Sequence, residues 1–306
     1  MLSNLFKGKI FRRALELYAG PHVADFVDKM DGKVGLGGFD IQITAYFQNL
    51  YGFRIDLQKI PPQLSANFLQ QYLDMSCEVV LLNKGTLDHL DGEKLKAFWG
   101  APATQKDHLE RAAATAVEVV RRFNLMRDQY NHSELSKFQV SIGLNSGRAI
   151  VGNFGSKYRF NYTALGETVQ LAQRIQTLSP TYGVHVLMTE AAYQKIQDQS
   201  VVRDLDILRL PDLETPIRLY ELIAFQQKPT ESQDRLLTSF SLGVNLFRKR
   251  RWDEASDHFF DALKIDKNDT PAKLYVERCT GFKRNPPPPN WNGTVGIKSV
   301  TSNPSE

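Results

Sequence analysis

The chain has 306 residues, of which 42% are hydrophobic and 24% charged, with 38 basic against 34 acidic side chains and a formal net charge of +4. These values exclude a disordered or fibrous chain and leave room for one large or two modest domains around a sizeable core. The small, dispersed positive excess excludes nucleic acid as the main partner. The two cysteines, Cys77 and Cys279, form no CxxC pair, which excludes a disulfide framework or thiolate zinc site and fits a reducing compartment. No apolar run of about 18 residues is present, so no transmembrane segment is expected. The first residues lack a signal-peptide core, so the expected location is cytoplasmic, with peripheral membrane contact as the exception considered next.

The first 31 residues read as helix, broken at Gly20-Pro21. Lys7, Lys9, Arg12 and Arg13 are interleaved there with Phe6, Ile10, Phe11, Leu15 and Leu17. This basic amphipathic pattern packs on protein or lies on an anionic membrane surface. Residues 32–40 carry four glycines and read as a flexible connector. Ile41–Phe47 reads as a strand, and Pro61-Pro62 opens a helix over 63–83 with Leu64, Phe68, Leu69, Tyr72, Leu73 and Val79 on one stripe. Gly85–Trp99 reads as two short strands turning at Asp91-Gly92, and Asp107–Met126 as a helix with an alanine-rich face. Strands follow at Phe138–Leu144 and Arg148–Asn153, a helix at Glu167–Leu178, a strand at Val184–Met188, a helix at Glu190–Gln197 and a strand at Pro216–Leu222. Gly52, Gly152 and Gly155 read as turn residues. The order predicts an α+β sandwich with helices covering a mostly antiparallel sheet.

Composition breaks at 226–232, and a helical region runs from Asp234 to about Phe282. Leu242, Gly243, Leu246, Phe247, Trp252, Ala255, Phe259, Ala262 and Leu263 resemble one tetratricopeptide-type (TPR-like) helix pair, with Asp269 or Thr270 capping a further helix. One pair cannot bury its own apolar face, so it should dock on the preceding domain or on a protein partner. Arg248–Arg251 is a basic knot, read as a solvated turn or a docking site for acidic protein or lipid. Pro286–Pro289 forces extended geometry on the tail, as a spacer or as an arm on a surface. Trp99, Trp252 and Trp291 read as packing residues. The expected organisation is a helical lead-in and connector at 1–40, a main domain at 41–225, a helical region at 226–282 and a proline-rich tail at 283–306.

Several blocks then point to a family. Gly85–Pro102 (GTLDHLDGEKLKAFWGAP), Val140–Gly155 (VSIGLNSGRAIVGNFG), Tyr158–Ile175 (YRFNYTALGETVQLAQRI) and the stretch PPQLSANFLQQYLDMSCEVVLLNKG resemble the class III adenylate and guanylate cyclase catalytic domain, in the family's order. The upstream LELYAGPHVADFV resembles the helical lead-in of bacterial members, and tails with a helical repeat and a Pro-Pro-Pro-x-x-Trp-x-Gly segment follow some bacterial cyclase domains. The resemblance implies the class III sandwich fold, head-to-tail dimers with nucleotide sites at the interface, and two divalent metals (Mg²⁺ or Mn²⁺) held by two aspartates. Hard cations need carboxylate oxygens, and phosphoryl transfer runs mainly on positioning and charge neutralisation.

Carried onto this chain, the resemblance places Asn49, in Phe47-Gln-Asn-Leu-Tyr-Gly-Phe53, at the first metal aspartate, and Glu93 at the second. A competing register would use Asp40, at the expense of the apolar residues of the strand. His89 falls at the base-reading lysine and Thr163 at the second base reader. Gln170 falls at the ribose asparagine, Arg174 at the transition-state arginine, and Pro211 at the phosphate lysine. Only Thr163 and Arg174 of these seven keep the family's chemistry. His89 is also open to two further readings, a new metal ligand with Asp91 and Glu93 or a solvated hairpin residue, and Asn49 beside Gln170 to a polar pocket binding nucleotide without metal. The expected function is a catalytically impaired cyclase homologue in signalling, as a homodimer or as a heterodimer with an intact cyclase, with a nucleoside triphosphate as its implied ligand. The alternatives are an active divergent cyclase, or a cyclase fold serving only to dimerise while the C-terminal helices do the work.

Overall fold

The computed structural model describes residues 2–30, 35–56, 59–130, 132–211 and 213–296. Two compact units divide the chain, one up to Gln176 and one from Thr177.

The first unit opens with α1 (Leu2–Ala19) and α2 (Pro21–Lys29), separated at Gly20, whose φ of 82° Pro21 follows as the first helical residue. Arg12 ties the two helices together by pairing with Glu16, Asp25 and Asp28. Ile10, Phe11, Leu17 and Tyr18 on α1 are exposed. Next come β1 (Gly37–Tyr51), α3 (Phe53–Asp56), α4 (Pro62–Leu82), β2 (Thr86–Asp91), β3 (Lys94–Trp99), α5 (His108–Asp128), β4 (Gln139–Ser156), β5 (Arg159–Leu165) and α6 (Glu167–Tyr182), in which the unit boundary falls. The strands pair in the order β2-β3-β1-β4, with β5 on β4, and every one of these pairings is antiparallel.

Four expectations are corrected here. The glycines at 37 and 38 belong to β1 and not to a connector, and Gly152 lies within β4 and not in a turn. A Cβ on Gly152 would lie 2.1 Å from the Gly37 carbonyl oxygen, and one on Gly38 would lie 2.8 Å from that of Val151. Close backbone approach, not flexibility, requires them. The two strands expected around Asn145–Gly147 are one, β4. Gly147 sits inside it because a Cβ there would meet the Thr168 hydroxyl of α6 at 2.6 Å. The hairpin turns at Gly92-Glu93, with Gly92 at φ 57°.

Successive β1 side chains alternate between faces. Thr44, Tyr46 and Gln48 turn toward α4 and α5, with Thr44 Oγ1 2.7 Å from His108 Nδ1 and Gln48 donating to Tyr72 (2.8 Å) and Ser76 (2.6 Å). Ile41, Ile43, Ala45 and Phe47 take the other face, in a cluster with Phe98, Ala164, Val169 and Ala172. Asn49 ends that second row.

The second unit contains β6 (Val186–Thr189), α7 (Glu190–Ile196), β7 (Ser200–Arg209), β8 (Ile217–Phe225), α8 (Glu231–Arg248), α9 (Trp252–Ile265), α10 (Thr270–Arg284) and β9 (Val295–Gly296), its strands ordered β6-β8-β7-β9. No strand was expected at β7, because Arg203, Asp204 and Asp206 interrupt its apolar run. The structure resolves each charge. Arg203 pairs with Glu221 (2.6 Å) and with Asp269 (2.6 Å), whose other oxygen caps α10 through Ala272 N–H. Asp204 accepts from Arg248 and Arg218, and Asp206 from Tyr182 and Arg278. The basic knot is a turn whose Lys249 and Arg251 are exposed, as a solvated turn would have them, and whose arginines each find an acceptor. Arg248 holds Asp204, Arg251 holds Glu254, and Arg250 contacts the tail.

Removing one member of a buried ion pair strands its partner. Arg203→Ala is therefore expected to lower unfolding free energy by about 3–5 kcal/mol in urea titrations, whereas Arg251→Ala, at an exposed pair, should leave the urea midpoint almost unchanged. Burial would raise the Asp204 carboxyl, but Arg248 and Arg218 hold it below the usual carboxylate range. Its contribution is thus present at neutral pH and lost as pH falls below about 4. Melting curves at pH 7 and pH 3 should show a smaller acid loss in Asp204→Asn.

Candidate functional site

The end of β1 and the β2–β3 hairpin meet because β1 runs unbroken to Tyr51. Asn49 lies opposite Lys94 on β3 and Ser141 on β4, and the Leu50 N–H donates to the Glu93 carbonyl at 3.2 Å. Asn49 and Glu93 are thus neighbours, as the chosen register requires. Asp40, the competing candidate, stands nine residues back along β1 and pairs with Arg148 at 2.7 Å.

The Asn49 Oδ1 is buried without a hydrogen-bond partner. Glu93 keeps a carboxylate whose side chain is only 7% exposed, but Arg54 of α3, 63% exposed, lies over it with Nε at 2.9 Å from Oε1 and 3.0 Å from Oε2. Sequence reasoning missed Arg54. Its signal is a cation one residue beyond the Gly52-Phe53 pair that closes the matched motif.

A second cluster forms where β2, β3 and β5 face one another. A bulge between Leu87 and His89 takes Asp88 out of register. The Asp88 carboxylate accepts from the Thr163 hydroxyl at 2.7 Å and from Lys96 Nζ at 2.8 Å, and Lys96 also donates to Thr163 Oγ1 and to the Ala164 carbonyl, both at 3.0 Å. The lysine beside Thr163 is therefore Lys96 of β3. His89, the residue matched to the base-reading lysine, is exposed on β2 opposite Lys96. Lys96 was missed because it sits on the adjacent strand, outside the position that the motif marks.

Gln170 is exposed and Arg174 half-buried, four residues apart on one face of α6. Pro211 is exposed just after β7. Burial raises the Tyr162 phenol to about 12 and the Cys77 thiol to about 11.

The family profile described as the Adenylate and Guanylate cyclase catalytic domain matches residues 42–221. The chain belongs to the adenylate and guanylate cyclase family. Adenylate cyclase 1 of Rhizobium meliloti (strain 1021) is 30% identical over 182 residues, which are 60% of this chain and 27% of that protein. The terminal-differentiation-specific adenylate cyclase of Dictyostelium discoideum is 24% identical over 241 residues, 78% of this chain and 11% of that one. This chain thus spans a small part of these relatives. Among solved structures, the adenylyl cyclase CyaB from P. aeruginosa superposes with a TM-score of 0.58 at 23% identity, covering 64% of this chain and 100% of that one. A bacterial light-regulated adenylyl cyclase superposes with a TM-score of 0.63 at 19% identity, covering 74% and 65%. These superpositions show the class III cyclase fold, an α+β sandwich, as the motifs led one to expect.

The fold implies two divalent metals, and the residues here do not fit them. Asn49 offers one neutral oxygen, and Glu93 already has a guanidinium. Titrating Mn²⁺ against the protein by electron paramagnetic resonance should give no saturable site. Asn49→Asp with Glu93→Asp should bind weakly while Arg54 remains. Adding Arg54→Ala should tighten binding about tenfold, or about 1.4 kcal/mol. A double variant already as tight as the triple would remove the role given to Arg54, and a triple variant that binds nothing would undo the register.

Proposed function

We propose that this chain is a catalytically impaired class III cyclase homologue that acts in intracellular signalling as a dimeric regulatory or scaffold component. One observation carries the reading: Glu93, the carboxylate left at the paired metal positions, is held by Arg54 beside the neutral Asn49. Two divalent ions beside a triphosphate need acidic oxygens on the protein, and this arrangement offers a neutral amide and a carboxylate already neutralised. Glutamate also carries one methylene more than aspartate, displacing its oxygens by about an ångström, enough to cost on the order of 100-fold in rate.

A nucleotide-sensing role for the same site draws support from the second cluster. Lys96 lies against Thr163, the residue that the resemblance gives as a base reader, and their contact needs no metal. Gln170 and Arg174 on one face of α6 are in keeping with a heterodimer in which an intact cyclase supplies the metal aspartates.

The test incubates the purified protein with ATP, GTP, CTP or UTP and Mg²⁺ or Mn²⁺, with cyclic products read by mass spectrometry. No cyclic product is expected from any of them. A product that disappears in Arg174→Ala would overturn the proposal and make the chain a divergent cyclase. Calorimetric titration of the same nucleotides in EDTA separates sensor from scaffold, with heat of binding expected only for a sensor.

A further inference from the structure

The tail of the chain is seated on its own helices in a manner that reads as ligand recognition. Between α8 and α9 the chain turns through Arg250 at φ 64°. The Arg250 Nη2 donates to the Pro287 carbonyl at 2.6 Å, and Nη1 to those of Pro288 at 2.8 Å and Pro289 at 3.3 Å. A polyproline segment has carbonyls but no N–H groups, which leaves it short of backbone donors, although here the Trp291 N–H reaches back to the Pro288 carbonyl at 3.0 Å. A planar fork of N–H donors is the natural complement of such carbonyls.

Beneath Arg250 lies the ring of Trp252, 5.6 Å from the guanidinium carbon. Past the prolines, Trp291 packs edge-on against Phe247 (5.5 Å, 84°) and Phe282 (5.3 Å, 87°). Its Nε1 donates to the Thr294 carbonyl at 2.7 Å, which closes a turn over Gly293. Gly293 has φ 87°, and a Cβ there would lie 3.1 Å from the Arg248 stem, so the turn favours glycine twice over. Val295-Gly296 then pairs in parallel with Leu208-Arg209.

Aromatic walls and a cation that reads carbonyls are the parts of a groove for polyproline peptides.

We propose that the α8–α9 corner is a peptide-recognition groove for a polyproline segment followed by tryptophan, occupied in cis by Pro287–Trp291 and open to the same segment of a second copy when that arm leaves. The arm is the matching ligand by composition, and its seat depends on side-chain contacts and two paired backbone positions that a second arm can reproduce.

The probe is a fluorescein-labelled peptide of residues 284–296, RNPPPPNWNGTVG, added to the full-length chain and followed by anisotropy. Wild type should bind it poorly, since the groove is occupied. Trp291→Ala loosens the resident arm and should bind at least about tenfold more tightly, a change of about 1.4 kcal/mol. Adding Arg250→Ala should abolish the gain, and Arg250→Lys should restore it only in part, because an ammonium lacks the planar fork. A folded Trp291→Ala chain that binds no better than wild type overturns the proposal, as does a double variant that binds equally well. Should Trp291→Ala fail to fold, hydrogen exchange on wild type decides. Excess unlabelled peptide should speed exchange of the Val295 and Gly296 amides, and unchanged rates at saturation would rule the groove out.

Discussion

Pairing along both edges of β1 leaves its side chains no choice of face, and the candidate site follows from that. Fifteen residues of β1 match fifteen of β4 without a break, and β3 takes the other edge over Thr44–Asn49. Gln48 is committed to Tyr72 and Ser76, so Asn49 must point the other way, at the end of the row that begins with Ile41. A shift of one residue would bury Asn49 among the α4 aromatics and turn Gln48 out. The same ladder brings Glu93 beside Asn49 through the Leu50 amide. An amide in place of a carboxylate at Asn49 is therefore a difference of charge at a fixed position, and not a rearrangement of the fold.

The two units handle buried charge differently. In the second, β7 carries Arg203, Asp204 and Asp206 into the interior, and each is matched by groups from β8, α6, α8 or α10. These pairs lie in surroundings where water screens little, so each fixes the position of the helix that supplies its partner. In the first unit the Glu93 carboxylate is equally buried, but its partner Arg54 lies mostly in solvent. That contact neutralises Glu93 without locking Arg54.

Much of this was legible in the sequence. Helices α1, α2, α4, α5 and α6 follow from apolar spacing, Gly20-Pro21 and Pro61-Pro62, and the class III fold follows from ordered motifs such as GTLDHLDGEKLKAFWGAP. What escaped depends on contacts between distant residues. Gly37, Gly38 and Gly152 look like connector or turn glycines until two backbones are seen to touch. β7 looks too charged to be a strand because its partners lie up to about 70 positions away, as Asp206 and Arg278 do. His89 takes the motif position, but a bulge at Asp88 gives the contact with Thr163 to Lys96, and no one-dimensional alignment carries a bulge. The Arg248–Arg251 knot reads as one patch, yet its arginines face three different acceptors.

Asn49 and Arg54 are best understood as one solution. With two carboxylates and no bound cation, the end of β1 would hold adjacent negative charges, one of them almost wholly buried, an arrangement that destabilises the folded state. Replacing the first carboxylate by an amide removes the repulsion but still leaves Glu93 desolvated and uncompensated. A guanidinium from α3 supplies the missing charge, and its Nε bridges both carboxylate oxygens. Each change is of limited use without the other. Arg54 beside an intact aspartate pair would compete with metal, and Asn49 without Arg54 would strand Glu93. Together they leave the end of β1 balanced in charge without a bound cation, which is why Asn49 and Arg54 weigh more as a pair than any single motif residue.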